Sequence, residues 1–148
     1  MNRGEFITAL RTVIDDVKTG LLATVDGEGQ PNMRWMTPTL LEERPGAIYA
    51  VTSRNFAKRE QLDKNPKVQW MFQTRSLDKI IYVNGKTNLV DNASLLNEVL
   101  EVLAPRLRTF WNVNTDETSL FVVETIMERG RYFLPMKGTK EDVELGGE

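Results

Sequence analysis

The sequence predicts a mainly β, antiparallel barrel of about six or seven strands, with short helices at the barrel openings. Three observations point there. Strand-like segments follow one another through tight polar turns, helical periodicity is confined to short stretches, and the strand–helix alternation of a doubly wound parallel sheet is missing.

The first element is a helix over residues 5–17. Phe6, Ile7, Leu10, Val13, Ile14 and Val17 recur at the three- and four-residue spacing of one helical face. Gly20 then stands where a left-handed helix cap is expected. The period changes there. Leu21 to Val25 reads as a short buried strand, and Asp26-Gly27-Glu28-Gly29 as a hairpin turn. Asn32 to Leu41 is expected as the return strand, with Pro38 marking an edge position or a bulge. After the polar turn Glu42 to Gly46, Ala47 to Thr52 forms a third strand, which completes an antiparallel meander.

Ser53 to Pro66 reads as a loop and two turns of helix stopped at Asn65-Pro66, because a residue preceding proline is pushed out of the helical region. Val68 to Phe72 and Ile80 to Val90 are two more strands, joined by a polar connection around Arg75 to Lys79. Asp91 or Asn92 caps a helix over Leu95 to Leu103, with Leu96, Val99, Leu100 and Leu103 on one face, and Pro105 ends it. Ser119 to Met127 and Arg131 to Leu134 are expected as a last strand pair around Glu128-Arg129-Gly130. The organisation is one domain over residues 1–136 and a polar, Gly-rich tail over 137–148, expected to be disordered.

Composition limits the chemistry sharply. The chain of 148 residues contains no cysteine and no histidine. Disulfides, Cys/His zinc sites, thiolate nucleophiles, Ser-His-Asp triads and His- or Cys-ligated haem are therefore excluded. An enzyme on this chain needs its chemistry from a cofactor or from the substrate. The net charge of −2 argues against duplex nucleic acid as a partner. Apolar runs are too short to span a bilayer, and the N-terminal residues lack a secretory signal pattern, so a cytoplasmic location is expected.

Two segments could carry a site. In Val51-Thr52-Ser53-Arg54-Asn55-Phe56-Ala57-Lys58-Arg59, a strand runs through hydroxyls into a helix start with several cations. Free backbone N–H groups, hydroxyl donors and Lys58 together suit a phosphate. The same pattern also fits a Ser- or Asn-capped helix with solvated cations, and the segment alone does not decide. In Arg34-Trp35-Met36-Thr37, alternation sets Arg34 and Met36 on one face and Trp35 on the other. Such a strand could wall a flavin, or be half-buried core with Arg34 at the rim. Trp111 could stack on a ring or close the barrel, and Trp70 reads as core. Glu98, Glu101, Asp116 and Glu117 look solvated, and Gly27 and Gly29 do not begin a dinucleotide fingerprint. No catalytic residue is identified.

Taken together, several short pieces carry a resemblance. They are Gly20-Leu21-Leu22-Ala23-Thr24-Val25, Asp26-Gly27, Gln30-Pro31 with Arg34-Trp35-Met36, Ile48-Tyr49-Ala50-Val51-Thr52, Lys58 with Gln61-Leu62, Asn65-Pro66-Lys67-Val68 and Val83-Asn84-Gly85-Lys86. Their order and spacing resemble the FMN-binding split β-barrels of the pyridoxamine 5′-phosphate oxidase-like superfamily, in particular its short general-stress-protein branch. The resemblance runs from about residue 5 to residue 90 and more weakly to about 134. It implies a split barrel and a homodimer with FMN between subunits. The strand Arg34, Trp35, Met36, Thr37 would line the ring and help with the phosphate, Thr52, Ser53 and Lys58 would hold the phosphate, and Val51 would belong to the same cofactor site. Trp111 is a candidate to stack on the ring, from the same or the partner subunit.

The departures bear on activity. The family's vitamin B6 oxidase holds its substrate with an Arg-x-His, which a chain without histidine cannot supply. A second cation beside Lys58 is replaced by Ala57, and a polar side chain near Ile80 is missing. Vitamin B6 oxidation is not expected. The resemblance then implies an FMN-dependent oxidoreductase acting on a small redox partner, a stress protein that stores or senses FMN, or a barrel using deazaflavin or no cofactor.

Overall fold

The computed structural model describes residues 1–53, 65–110 and 120–146, with side chains over 106–110 outside that description. In chain order the elements are α1 (Arg3–Val17), β1 (Gly20–Val25), β2 (Pro31–Met36), β3 (Thr39–Leu41), β4 (Arg44–Ser53), β5 (Lys67–Gln73), β6 (Ile80–Val90), α2 (Ala93–Phe110), β7 (Leu120–Leu134) and β8 (Thr139–Glu144). All strand pairings are antiparallel. The path is β2-β1-β5-β6-β7-β4-β3, with β8 beside the far half of β7.

That order forces the sheet to curl. β2 and β3 lie at opposite ends of the path, yet only Thr37 and Pro38 separate them in sequence. Three Cα steps, from Met36 to Thr39, span at most about 11 Å. The two ends of the sheet must therefore be neighbours, which makes a half-barrel open along one seam.

Several expectations are corrected. Asn32 to Leu41 is two strands, because Pro38 has no N–H to continue a ladder and the chain changes sheet end there. The left-handed cap of α1 is Lys18, at φ 65°, while Gly20 already belongs to β1. α2 continues through Pro105 to Phe110. An interior proline costs about 3 kcal/mol, and the apolar stripe of Leu96, Val99 and Leu103, all buried, offsets it. The last strand pair is the single strand β7. Gly130 makes no turn; it lies within β7 where a Cβ would overlap the Phe6 ring. Finally, the expected disordered tail contains β8, which pairs with β7 from Arg129↔Glu144 to Leu134↔Thr139.

Two apolar clusters hold the fold. Inside the curl, Phe6, Leu10 and Ile14 of α1 plug the barrel against Trp70, Phe72, Ile81, Val83 and Met127. Asn2 and Glu5 form a reciprocal capping box that fixes where this plug begins. Outside, Leu95, Leu96, Val99 and Leu103 of α2 cover Tyr49, Val51, Leu120 and Val122. Each fully buried side chain of this size contributes roughly 1.5–3 kcal/mol. A polar relay lies within the barrel: Trp70 Nε1 donates to Thr125 Oγ1 at 3.0 Å, and Thr125 and Thr87 share a hydroxyl bond at 3.0 Å.

Tyr49 lies under α2 with 1% of its surface exposed, and its phenol donates to Glu124 Oε2 at 2.9 Å. Burial first, then the hydrogen bond and charge of Glu124, push the phenol up from 10.0 to about 12. The fold thus favours the neutral phenol. Stability from this group is complete below about pH 10 and is lost as pH rises through 12. An alkaline ultraviolet titration should show one tyrosine ionising near 12, and that step should vanish in Tyr49→Phe. A titration unchanged by the substitution would reject the assignment.

Candidate functional site

The seam gathers most of the residues singled out in the sequence. β2 brings Arg34, Trp35 and Met36 to it, and Thr37 lies at the junction where the chain crosses to β3. On the other side, Thr39 pairs with Tyr49 of β4. Thr37 and Pro38 lead into that pair and belong to no strand. Val51, Thr52 and Ser53 are the last residues of β4. Two stretches far apart in sequence are thus brought to one opening because the sheet curls.

Alternation along β2 sorts its side chains. Met36 is buried and Arg34 half-buried on the inward side, where Arg34 pairs with Leu22, itself buried. Met33 and Trp35 face outward and are 68% and 51% exposed. Trp35 borders a hollow of about 410 Å³ lined by Thr19, Gly20, Leu21, Met71 and Gln73. Register explains the lining: Trp35 pairs with Leu21, and Leu21 pairs with Met71. At Gly20 a Cβ would run into the Phe72 ring, so the floor of the hollow requires glycine. The volume falls within the roughly 300–1,000 Å³ of small-molecule sites.

Three further polar groups belong to the strand ends at the seam. Thr37 is 4% exposed, and its Oγ1 meets no hydrogen-bond partner among the described residues. Thr52 is buried at 3% exposure and Ser53 half-buried. β2 ends the strand path, so among the described residues one edge of its backbone pairs with no strand. Lys58 and Trp111 lie outside the described residues, as does the segment from Arg54 to Lys64 that follows Ser53. Leu21, Gly20 and Met71 were not singled out in the sequence as lining; only strand register puts them beside Trp35.

A second hollow of about 270 Å³ lies on β5 to β8, away from these residues. Its two arginines are each paired: Arg131 bonds Asp142 at 2.7 Å and Arg129 pairs with Glu144 at 2.7 Å. The Arg131 guanidinium beside Asp142 holds that carboxyl below the usual range. Among the described residues no cluster of three or more His, Cys, Asp or Glu could hold a metal, and no helix is long and apolar enough to cross a membrane.

A family model described as pyridoxamine 5′-phosphate oxidase matches residues 6–130. The chain belongs to that family. Among solved structures, this pyridoxamine 5′-phosphate oxidase family member is similar to general stress protein 26 from Bacillus anthracis. The identity is 18%, the match covers 95% of this chain and 99% of that one, and the TM-score is 0.72. A NimC/NimA family protein from Clostridium acetobutylicum is 21% identical over 95% and 92% of the two chains, with a TM-score of 0.71. A FAD-binding protein from Mesorhizobium loti is 16% identical over 84% and 93%, with a TM-score of 0.64. At these identities the likeness is one of fold. No curated protein matches the sequence.

Proposed function

We propose that this family member binds FMN at the seam and works as a flavin-dependent oxidoreductase on a small redox partner. The observation that carries this reading is the junction itself. β2 ends the strand path among the described residues, Thr37 just after it keeps a buried hydroxyl without a partner among them, and Trp35 walls a hollow over β1 and β5. A flat, polar-edged heteroaromatic ring fits that set of groups: backbone and Thr37 to its edge, Trp35 and Met36 to its apolar surface. Arg34 would supply charge to the phosphate, with Thr52, Ser53 and Lys58 adding donors. Bound FMN supplies the electron-transfer chemistry that a chain without cysteine or histidine lacks. The FAD-binding neighbour agrees in fold with a flavin ligand.

We also propose a homodimer. Met33, Trp35, Leu21 and Met71 form an outward strip that a second copy would cover, closing the ring site from the other side. A second reading, storage or sensing of FMN without turnover, draws on the similarity to general stress protein 26.

The test is a visible spectrum of the purified protein before and after FMN addition and desalting. A flavin band that survives desalting and is released on denaturation is the expected outcome. Reduction by a nicotinamide donor and reoxidation by an acceptor would then favour the enzyme over the storage protein. A protein that stays colourless would reject FMN and make deazaflavin the next ligand.

A further inference from the structure

We propose that the outer face of β5 to β8 holds a second small-molecule site, one that takes a small aromatic carboxylate. It is the hollow of about 270 Å³, and it shares no lining residue with the hollow beside Trp35. Register builds it from neighbouring strands. Gln69 pairs with Asn84, while Tyr82 pairs with Arg131 and Arg131 with Asp142. Phe133 and Lys140 form the next opposed pair along β7 and β8.

Hydrogen bonds inside this hollow consume its acceptors and leave donors. Both oxygens of Asp142 accept from Arg131, through Nε at 2.7 Å and Nη2 at 3.2 Å. The Asn84 carbonyl oxygen accepts from Gln69 Nε2 at 2.8 Å. Arg131 Nη1, Asn84 Nδ2, the Tyr82 hydroxyl and Lys140 Nζ are left without a hydrogen-bond partner among the described residues. Charge is left over in the same way. Arg129 is paired with Glu144 and Arg131 with Asp142, whereas Lys140 makes no ion pair among the described residues. Its Nζ lies 5.3 Å from the centre of the Phe133 ring.

One surplus cation suits one negative charge, and so a carboxylate better than a dianionic phosphate. Tyr82 and Phe133, both half-buried, add aromatic surface beside the donors, against which a ligand ring can stack or lie edge-on. The volume lies just under the roughly 300–1,000 Å³ of drug-sized sites, which fits a ligand of a single ring. A lysine on the outermost strand also serves to keep that edge from pairing with another chain. That role requires neither the aromatic surface nor the free donors of Asn84 and Tyr82.

The test is a titration of the ligand-free protein with benzoate, followed through the side-chain amide signals of Asn84 and Gln69 by NMR. Saturable shifts with a Kd on the order of 1 mM are expected for so small a ligand. Benzamide keeps the ring and lacks the charge, and should bind at least about fivefold more weakly. Lys140→Met keeps the aliphatic stem of an exposed side chain and removes the ammonium. It should weaken benzoate about fivefold, to the level of benzamide, while the melting temperature stays within about 2 °C. Tyr82→Leu should weaken both ligands alike.

Absent shifts, shifts centred on the Trp35 hollow, equal binding of benzoate and benzamide, or full benzoate affinity in Lys140→Met would each overturn the proposal. Repeating the titration with excess FMN separates it from the flavin site. Benzoate affinity unchanged by FMN supports a second site, and competition overturns it. The inference does not rest on the flavin reading: if FMN fails to bind, the benzoate titration decides alone.

Discussion

Phe6→Ala is expected to destabilise the protein by about 3–5 kcal/mol, and to lower the melting temperature by roughly 10 °C or more. Phe6 has no exposed surface and forms part of the plug that α1 inserts into the barrel. Its ring lies against Gly130, in the middle of β7, where no other residue leaves room for it. Gly130→Ala alone should therefore cost about 1–3 kcal/mol by overpacking, even though alanine suits a strand better than glycine. In the Phe6→Ala background the sign should reverse, because the clash is gone and the backbone entropy gain remains. Denaturant unfolding of the two single variants and the double variant measures this coupling. Simple additivity would mean that the two residues do not share the space.

The same pair shows why part of the fold was illegible in the sequence. Glu128-Arg129-Gly130 reads as a turn because glycine between polar residues usually marks one. Here glycine answers to a ring more than a hundred residues away, and local pattern carries no trace of that contact. Pro105 misleads for the converse reason: its local penalty is real, but the burial of Leu96, Val99 and Leu103 outweighs it. α1, the Asp26 turn and the strands from β4 to β6 were legible because periodicity and turn chemistry agree with the final packing. β8 was missed because Thr139 to Glu144 is polar except at Val143; its ladder partner, the exposed half of β7, supplies what its own pattern lacks.

For the site, alternation in Arg34-Trp35-Met36 correctly separates an inward cation from an outward aromatic. That the two ends of the sheet path are joined through Thr37 and Pro38 follows from strand order, which local sequence does not encode. Leu21 and Met71 enter the Trp35 hollow for the same reason. Residue type thus carries the proposed chemistry, and topology chose the neighbours.

The phosphate assignment predicts the largest functional effect. Arg34→Met keeps the aliphatic stem and removes the guanidinium, so packing is largely retained while the charge is lost. FMN should then bind about ten- to a hundredfold more weakly, the range for a lost charge-assisted hydrogen bond. Riboflavin, which has the same ring and no phosphate, should change by no more than about twofold on the same scale. Lys58→Ala should show the same selectivity with a smaller loss if that ammonium is solvated in the free protein, because water and salt weaken an exposed charge. Raising the ionic strength should also weaken FMN more than riboflavin, and less so in either variant. Equal losses for FMN and riboflavin would instead make Arg34 a structural residue of the seam. The selectivity for the phosphate, rather than the size of the loss, is what distinguishes a binding cation from a packing one.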